Sequence, residues 1–200
     1  ALEDQIADVE KQKTDEATRA RPRLAAWIGK QSVADGEGVV LPGGLLLHLA
    51  LDAAEGSDVI DQVSQEVAGV IAGSAVRGPG NFGGAVTLDG KSHLDLGDRL
   101  DFKRSDSFSY GAWIYRTGDS GAIIARMDDA DNYRGWDVFL AGGHAEFHMI
   151  HQWPTNAIHA KSTKPVPAGK WTHLFVSYDG TSKARGFQLY YDGVPQQVNV

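Results

Sequence analysis

Ten residues decide the fold: Trp171-Thr172-His173-Leu174-Phe175-Val176-Ser177-Tyr178-Asp179-Gly180. Leu174, Val176 and Tyr178 fall on one face of a β-strand, and the intervening aromatic residues fall on the other face. Apolar side chains on both faces are expected of a central strand in a two-layer fold. Asp179-Gly180 then supplies turn chemistry. The stretch therefore predicts a central strand of a β-sandwich that ends in a hairpin turn.

The same alternation of apolar and polar residues recurs in eight further segments. We predict strands at Leu45–Leu51, Ala85–Leu88, His93–Leu96, Phe108–Tyr115, Ala122–Met127, Trp136–Leu140, Ala145–Ile150 and Phe187–Tyr191. Asp89-Gly90 and Asp192-Gly193 are further hairpin signals. Because no segment with helical periodicity separates these strands, the pattern predicts a mainly β fold, an antiparallel sandwich over residues 45–200.

The N-terminal part of the sequence has a different texture. Leu2, Ile6, Val9 and Ala17 follow a helical spacing, so we expect a helical arm over residues 1–31. Gly, Asp and Pro are frequent over residues 32–44, which predicts a flexible linker.

Composition excludes several classes of function. The net charge is -7 and no concentrated basic face is visible, so nucleic acid is not an expected partner. Cysteine is absent, which removes thiol nucleophiles and thiolate zinc sites. The longest apolar run, Leu45 to Leu51, is far shorter than the roughly 20 residues that span a bilayer. We therefore expect no membrane span.

Four motifs, taken in order, carry a resemblance to a known family. Phe82-Gly83-Gly84-Ala85-Val86-Thr87-Leu88-Asp89-Gly90, then Phe108 to Tyr115, Trp171 to Gly180 and Leu189-Tyr190-Tyr191-Asp192-Gly193 resemble the laminin-G-like jelly roll of the concanavalin-A-like superfamily. The resemblance implies an antiparallel jelly-roll sandwich from about residue 45 onward. Since the sequence stops at Val200, soon after the last motif, we expect the final strand or strands of the jelly roll to be missing.

A narrower resemblance rests on two segments and on the helix that contains Ala20-Arg21-Pro22. Arg126-Met127-Asp128-Asp129-Ala130-Asp131-Asn132-Tyr133-Arg134-Gly135-Trp136-Asp137 and His148-Met149-Ile150-His151-Gln152-Trp153-Pro154 are similar to the laminin-G-like insert of large planctomycete cytochrome c proteins. This resemblance implies one module of a multi-domain envelope protein, an extracytoplasmic setting and a part in handling complex polysaccharides.

The same region holds the residue types that carbohydrate sites use. Aromatic rings stack on the apolar face of a sugar, while planar Arg and Asn groups bind its hydroxyls or charged groups. The candidate ligand-binding residues are Arg126, Asp128, Asp129, Asn132, Tyr133, Arg134, Trp136, His151, Trp153 and Asn156. The alternative is packing, with a buried Arg134–Asp137 ion pair as an example. Joint exposure of Trp136 and Trp153 beside Arg126 or Arg134 in a concave surface would favour ligand binding, and burial of the rings would favour packing.

Two groups of residues in the sequence could offer ligands to a metal ion. Asp128, Asp129, Asp131 and Asn132 offer oxygen ligands for calcium, but the EF-hand pattern fails, and a solvated, turn-forming loop is the alternative. His144 and His148 share a strand face but lie roughly 13 Å apart at about 3.3 Å per residue, too far for one ion. We therefore expect no metal site among these histidines, no cofactor within this sequence, and calcium as a possible ligand.

Catalytic motifs are absent from the sequence. The resemblance to the glucanases of this fold would imply paired carboxylates in a Glu-x-Asp-x-x-Glu run, and no such run occurs. No Gly-x-Ser-x-Gly elbow occurs either. Gly78-Pro79-Gly80-Asn81-Phe82-Gly83 precedes a β-patterned run instead of a helix, which argues against dinucleotide binding. The sequence therefore predicts a non-catalytic recognition module for polysaccharide, with an interdomain packing module as the alternative and a glycan-active enzyme as a third possibility.

Overall fold

The structure is a computed structural model that describes residues 43–200 together with Lys11. The predicted helical arm and almost all of the predicted linker lie outside the described residues. The chain divides into two compact units, Ala1–Leu46 and Leu47–Val200, and all of the described strands lie in the second unit.

The described part of the chain forms fourteen strands and one short 3₁₀ turn at Ala184–Gly186. The strands are β1 Asp58–Ile60, β2 Val67–Ala72, β3 Val76–Pro79, β4 Gly84–Thr87, β5 His93–Asp95, β6 Phe108–Tyr115, β7 Ser120–Asp128, β8 Arg134–Ala141, β9 His144–Gln152, β10 Asn156–Ser162, β11 Trp171–Tyr178, β12 Phe187–Tyr191, β13 Val194–Pro195 and β14 Val198–Asn199.

Two sheets carry most of the structure. One has the order β14-β10-β9-β8-β7, and the other has the order β13-β12-β11-β6. A three-stranded sheet, β1-β2-β5, and the β3-β4 pair complete the set. Every pairing between these strands is antiparallel, so the predicted mainly β, antiparallel architecture is confirmed.

A single hydrophobic core joins the two larger sheets. Its buried residues come from β8, β9 and β10 on one side and from β6, β11 and β12 on the other, with Val166 from the connection before β11. Phe147 of β9 stacks directly on Phe187 of β12, with ring centroids 3.9 Å apart. This shared core is the arrangement of a two-layer sandwich.

The predicted alternation of faces is confirmed in both β6 and β11. In β11, Thr172, Leu174, Val176 and Tyr178 are buried, while the residues between them are partly exposed. In β6, Phe108 is buried and the side chains on its face are more buried than those on the opposite face. The outward face of this sheet is nevertheless aromatic, because it carries residues such as Trp113 and Trp171.

Two local predictions were wrong. Leu45–Leu51 is not a strand: Leu49 forms one isolated bridge with Asp61, and Leu51 has a positive φ of 62° that ends any extended run. Asp89-Gly90 makes a turn, but it joins β4 to β5, which pair with different strands and form no hairpin. The carboxylate of Asp89 closes this turn by accepting bonds from the amides of Lys91 and Ser92.

The last part of the chain crosses between the two larger sheets. Asp192-Gly193 forms the predicted tight hairpin between β12 and β13, with positive φ at both residues as a type I′ turn requires. β14 then pairs with β10 in the five-stranded sheet. Asp179-Gly180 begins a longer connection between the paired strands β11 and β12. No helix among the described residues has the length and apolar character needed to cross a membrane.

Candidate functional site

The candidate site lies where two connections of the five-stranded sheet meet. Residues 129–133 connect β7 to β8, and residues 153–155 connect β9 to β10. The amide of Trp153 donates a 3.2 Å hydrogen bond to the carbonyl of Asn132, which fixes one connection against the other. We call Tyr133, Arg134, His151 and Trp153 the aromatic–basic patch.

The β7–β8 connection is built by its own backbone and by Asp128. The Asp128 carboxylate accepts hydrogen bonds from the amides of Ala130 (2.9 Å) and Asp131 (3.3 Å). Asn132 and Tyr133 follow with positive φ values of 54° and 62°. A left-handed backbone is common for Asn but rare for a bulky residue such as Tyr. Asp128 therefore organises the turn, and Tyr133 is held in a strained conformation.

The patch presents its side chains to solvent. Tyr133 is 49% exposed and Trp153 is 42% exposed. Arg134 Nη1 lies 3.0 Å from His151 Nδ1. Because a guanidinium can only donate, His151 Nδ1 accepts this bond and its ring presents the Nε2 side as a further polar group. The patch thus combines two exposed rings with a planar cation.

The other candidate residues have different places. Trp136 is only 3% exposed and packs in the core against Phe102, Phe108 and Tyr110, with its indole N–H donating to the carbonyl of Leu100. Trp136 and Trp153 are therefore not exposed together, which is the outcome expected of packing. The ring therefore supports the sheet from inside and cannot stack on a surface ligand.

Arg126 is held by two carboxylates, since Nη2 pairs with Asp98 and Nη1 lies 3.1 Å from Asp101. Asp129 is exposed in the β7–β8 connection, and Asn156 is exposed at the start of β10, opposite Gln152. The Arg134–Asp137 pair, the example given for the packing alternative, does not form, because Asp137 pairs with His148 and Arg134 with His151. The structure therefore pairs Arg134 with His151 and joins the connection of Trp153 to that of Asn132 and Tyr133. It places Arg126 beside Asp98 and Asp101, and Trp136 in the core.

A second polar group lies on the outer face of the same sheet. Ala145, Phe147 and Met149 of β9 point into the core, so Glu146 and His148 point away from it. Cross-strand register places His148 beside Asp137 of β8 and beside His159 of β10. We call Glu146, His148 and His159 the His–Glu cluster.

Short contacts connect the members of the His–Glu cluster. Glu146 Oε2 lies 3.4 Å from His159 Nε2 and 3.7 Å from His148 Nε2, while Glu146 Oε1 lies 2.6 Å from Lys161 Nζ. Burial raises the pKa of Glu146, but the hydrogen bond and charge of Lys161, together with the two imidazoles, outweigh it and hold this pKa below its usual value. Glu146 is therefore an ionised carboxylate in a partly buried setting.

Trp153 joins the patch to the cluster. Its ring meets the ring of His148 edge-on with centroids 5.5 Å apart, and that of His159 in the same way at 6.1 Å. The two imidazoles stack on each other, with centroids 4.8 Å apart and planes 5° from parallel. The ring of Trp153 is thus in contact with the cluster, which limits its freedom to move.

A family model, Laminin_G_3, described as the Concanavalin A-like lectin/glucanases superfamily, matches residues 88–200. The chain belongs to this family. The matched residues of this laminin-G-like chain contain all of the aromatic–basic patch, the whole His–Glu cluster and both larger sheets. The family includes lectins and glucanases by its own description, so membership identifies the fold and leaves the ligand open.

One solved structure is also similar. It is the crystal structure of residues 221–444 of an S-layer domain-containing protein from Clostridium thermocellum, at 20% identity and a TM-score of 0.47, with 76% of this chain and 71% of that chain covered. No curated protein matches the laminin-G-like chain.

Sequence reasoning missed two groups of residues. His159 was missed because its strand, β10, was not predicted. The feature that could have revealed it is the turn at residues 153–155, which pairs positions 159 and 148 across a hairpin. For the outer face of the four-stranded sheet, the sequence indicated only that side chains alternate between the two faces of each strand. The structure shows it as an aromatic face, on which Trp113 contacts both Phe82 and His173.

Proposed function

We propose that this laminin-G-like chain is a non-catalytic recognition module that binds polysaccharide through the aromatic–basic patch. The observation that carries the proposal is the exposure of Tyr133 and Trp153 in two connections that a hydrogen bond from Trp153 to Asn132 joins, next in sequence to the Arg134–His151 pair. All four residues sit at or beside the ends of paired strands, so the surface is largely formed before a ligand arrives. A preformed surface loses little conformational entropy on binding.

The chemistry of the patch suits a sugar chain. The rings of Tyr133 and Trp153 offer apolar faces for stacking, and each has a polar atom that can reach a hydroxyl group. The Arg134 guanidinium donates in a plane, which favours a carboxylate or sulfate group of an anionic sugar. The strained backbone of Tyr133 supports a functional role, because such strain persists where the surroundings impose it and is frequent at ligand sites.

The environments of the nearby acids support a non-catalytic role. Asp137 is buried and hydrogen-bonded to His148, and Glu146 is paired with Lys161. A retaining or inverting glycosidase needs one carboxyl group that is protonated and another that is free to attack or to activate water. Neither Asp137 nor Glu146 is free in that sense, so we do not propose hydrolysis.

The setting that we propose follows from the narrower resemblance to the inserts of planctomycete cytochrome c proteins. In such a setting the module would be extracytoplasmic and would hold its parent protein on a polysaccharide. Its partners would be the polysaccharide and other domains of the same parent chain.

An interdomain packing module is the second candidate, and the aromatic face of the four-stranded sheet favours it. Phe82 is 72% exposed, Tyr115 is 49% exposed and Trp113 is 43% exposed. Several large exposed rings on one face are typical of surfaces that contact another protein surface. This face belongs to the four-stranded sheet, whereas the patch belongs to the five-stranded sheet. The two functions can therefore be tested separately.

A glycan array with neutral and sulfated polysaccharides, run with and without calcium, tests the proposal. We expect the wild type to bind at least one polysaccharide. The Trp153→Ala variant should bind it with a Kd about tenfold higher, which equals a loss of about 1.4 kcal/mol in binding free energy. Trp113→Ala is the matched control, since it removes an exposed Trp from the other sheet. Loss of binding in both variants, or no binding by the wild type, would favour the interdomain module. If binding requires calcium and Asp129→Asn abolishes this calcium-dependent binding, the result would place a cation in the β7–β8 connection.

A further inference from the structure

Three potential metal ligands converge on the outer face of the five-stranded sheet. One ligand atom each from Glu146, His148 and His159 lies within 4.8 Å of the others, and among residues 43–200 this is the only group of three such residues so close together. Two of the separations are 3.4 and 3.7 Å. Bonds of about 2.0–2.1 Å to a tetrahedral ion place its ligand atoms about 3.4 Å apart. The spacing is close to the one that such an ion requires.

Asp137 fixes the chemical state of His148. The Asp137 Oδ1 atom lies 2.7 Å from His148 Nδ1, and an ionised carboxylate can only accept, so Nδ1 carries the proton. The neutral ring then has its lone pair on Nε2, which is the atom directed towards Glu146. A carboxylate that orients a histidine through its second nitrogen is the usual outer contact of a metal-binding histidine. Asp137 is thus in position to act as an orienting residue.

His159 has a nitrogen without a partner. Its Nε2 atom is buried from solvent and makes no hydrogen bond, although it faces Glu146 Oε2 at 3.4 Å. A buried polar atom in this state costs free energy unless another group satisfies it. A cation placed between His159, His148 and Glu146 would satisfy it.

We infer that Glu146, His148 and His159 bind a divalent transition-metal ion of the zinc class, with Asp137 as the residue that orients His148. Two imidazoles and one carboxylate suit zinc and its neighbours and do not suit calcium, which takes six to eight oxygen ligands. The site differs from the aromatic–basic patch, and the inference does not depend on carbohydrate binding.

Binding requires a small movement of the rings. A metal ion lies in the plane of each imidazole that binds it, but the planes of His148 and His159 are nearly parallel. At least one ring must therefore tilt towards Glu146. The side chain of His159 is 38% exposed and has room to tilt, whereas that of His148 is held by Asp137. Because Trp153 contacts both rings, the tilt changes its environment.

Lys161 opposes the ion. Its ammonium group pairs with Glu146 Oε1, which leaves Oε2 free to bind but places a positive charge close to the site. Removal of this charge favours a cation. Lys161→Gln is therefore expected to tighten metal binding, an outcome that a purely structural His–Glu network does not predict.

The test is a competition titration of the 200-residue chain with Zn²⁺ against a chromophoric chelator at neutral pH. We expect one ion per chain, a loss of at least tenfold in affinity for His159→Ala and Glu146→Gln, and a loss of about 10–100-fold for Asp137→Asn. His144→Gln is the matched control, since His144 lies on the same strand face outside the cluster, and its affinity should equal that of the wild type. Co²⁺ or Cu²⁺ should also change the tryptophan fluorescence of the wild type, and Trp153→Phe should remove most of that change.

His159→Ala keeps the test decisive if buried variants such as Asp137→Asn do not fold, because His159 is partly exposed and its variant can be checked by circular dichroism. Stoichiometric binding by the wild type that His159→Ala weakens and Lys161→Gln strengthens supports the site. No stoichiometric binding by the wild type overturns the inference. Equal binding by the wild type and a folded His159→Ala overturns it as well.

Discussion

Phe147 of β9 and Phe187 of β12 stack across the interior with ring centroids 3.9 Å apart and planes 18° from parallel. Both side chains are almost fully buried. The contact joins the five-stranded sheet, which carries the aromatic–basic patch and the His–Glu cluster, to the four-stranded sheet. The stability of the His–Glu cluster therefore depends on an aromatic contact on the opposite side of its own sheet.

Removal of the Phe147 ring should destabilise the whole sandwich. Phe147→Ala is expected to lower the free energy of unfolding by about 3–5 kcal/mol, because it removes buried apolar surface and leaves a cavity beneath Phe187. Urea denaturation monitored by circular dichroism measures the change. Phe82→Ala, which removes an exposed ring, should change the same quantity by less than about 1 kcal/mol. Similar losses in both variants would contradict the shared core.

Tyr178 links two connections to the end of β11. Its hydroxyl donates to the carbonyl of Arg104 at 2.7 Å and accepts from the amide of Ser182 at 2.7 Å. Tyr178→Phe leaves both backbone groups without this partner, so we expect a loss of about 1–3 kcal/mol in thermal or chemical unfolding. Tyr190→Phe is the control, since its hydroxyl makes only an exposed 3.3 Å contact with Gln188. An unchanged stability for Tyr178→Phe would show that water replaces the hydroxyl without cost.

Asp61 should make stability depend on pH. The largest effect on Asp61 is a hydrogen bond from the amide of His48, which lowers its pKa. Burial raises this pKa, but the amides of Val63 and Ser64 also donate hydrogen bonds that lower it. The net result is a pKa of about 2, lowered from 3.8. Since the folded-state pKa is the lower one, its stabilising contribution is complete above the unfolded value and disappears as pH falls through the folded value.

The comparison of wild type with Asp61→Asn isolates this contribution. We expect the wild type to be more stable by about 1–3 kcal/mol near neutral pH, because the ionised carboxylate accepts several amide hydrogen bonds. The difference should shrink between roughly pH 5 and pH 2. Chemical denaturation at a series of pH values measures it, and a difference that stays constant over this range would mean that folding does not lower the pKa of Asp61.

Tyr133 should show a trade-off between stability and binding. Its positive φ of 62° costs a side chain on the order of 1 kcal/mol or more, and glycine adopts this conformation freely. Tyr133→Gly is therefore expected to keep or slightly raise the melting temperature and to weaken polysaccharide binding. Differential scanning calorimetry and the binding assay on the same sample test both effects, and a large drop in melting temperature would show that the ring is structural.

The strands of the sandwich were predictable where side-chain alternation is strong. The pattern of β11, in which Leu174 and Val176 alternate with polar or aromatic neighbours, gives its position and its buried face directly. Short strands such as β1 and β3 have too few residues to show a period. Leu45–Leu51 has the apolar content of a strand, but hydrophobicity alone does not provide a pairing partner.

The site was only partly predictable for a related reason. Exposed and buried aromatic residues are alike in sequence, so Trp136 and Trp153 could be separated only by the direction in which each side chain points. The patch residues lie between positions 133 and 153, so the sequence could indicate them as a group. The His–Glu cluster depends on cross-strand register between β9 and β10, and register is set by the turn and not by spacing along one strand.

The indole N–H signals in a two-dimensional nuclear magnetic resonance spectrum test the central claim most directly, since the chain has five tryptophans. A titration with a sulfated hexasaccharide and with its neutral counterpart should shift the signal of Trp153 with at least one of them. The signal of Trp136, in the core, and those of Trp113 and Trp171, on the other sheet, should stay in place. Shifts confined to Trp113 or Trp171, or no shift with either sugar, would contradict recognition through the aromatic–basic patch.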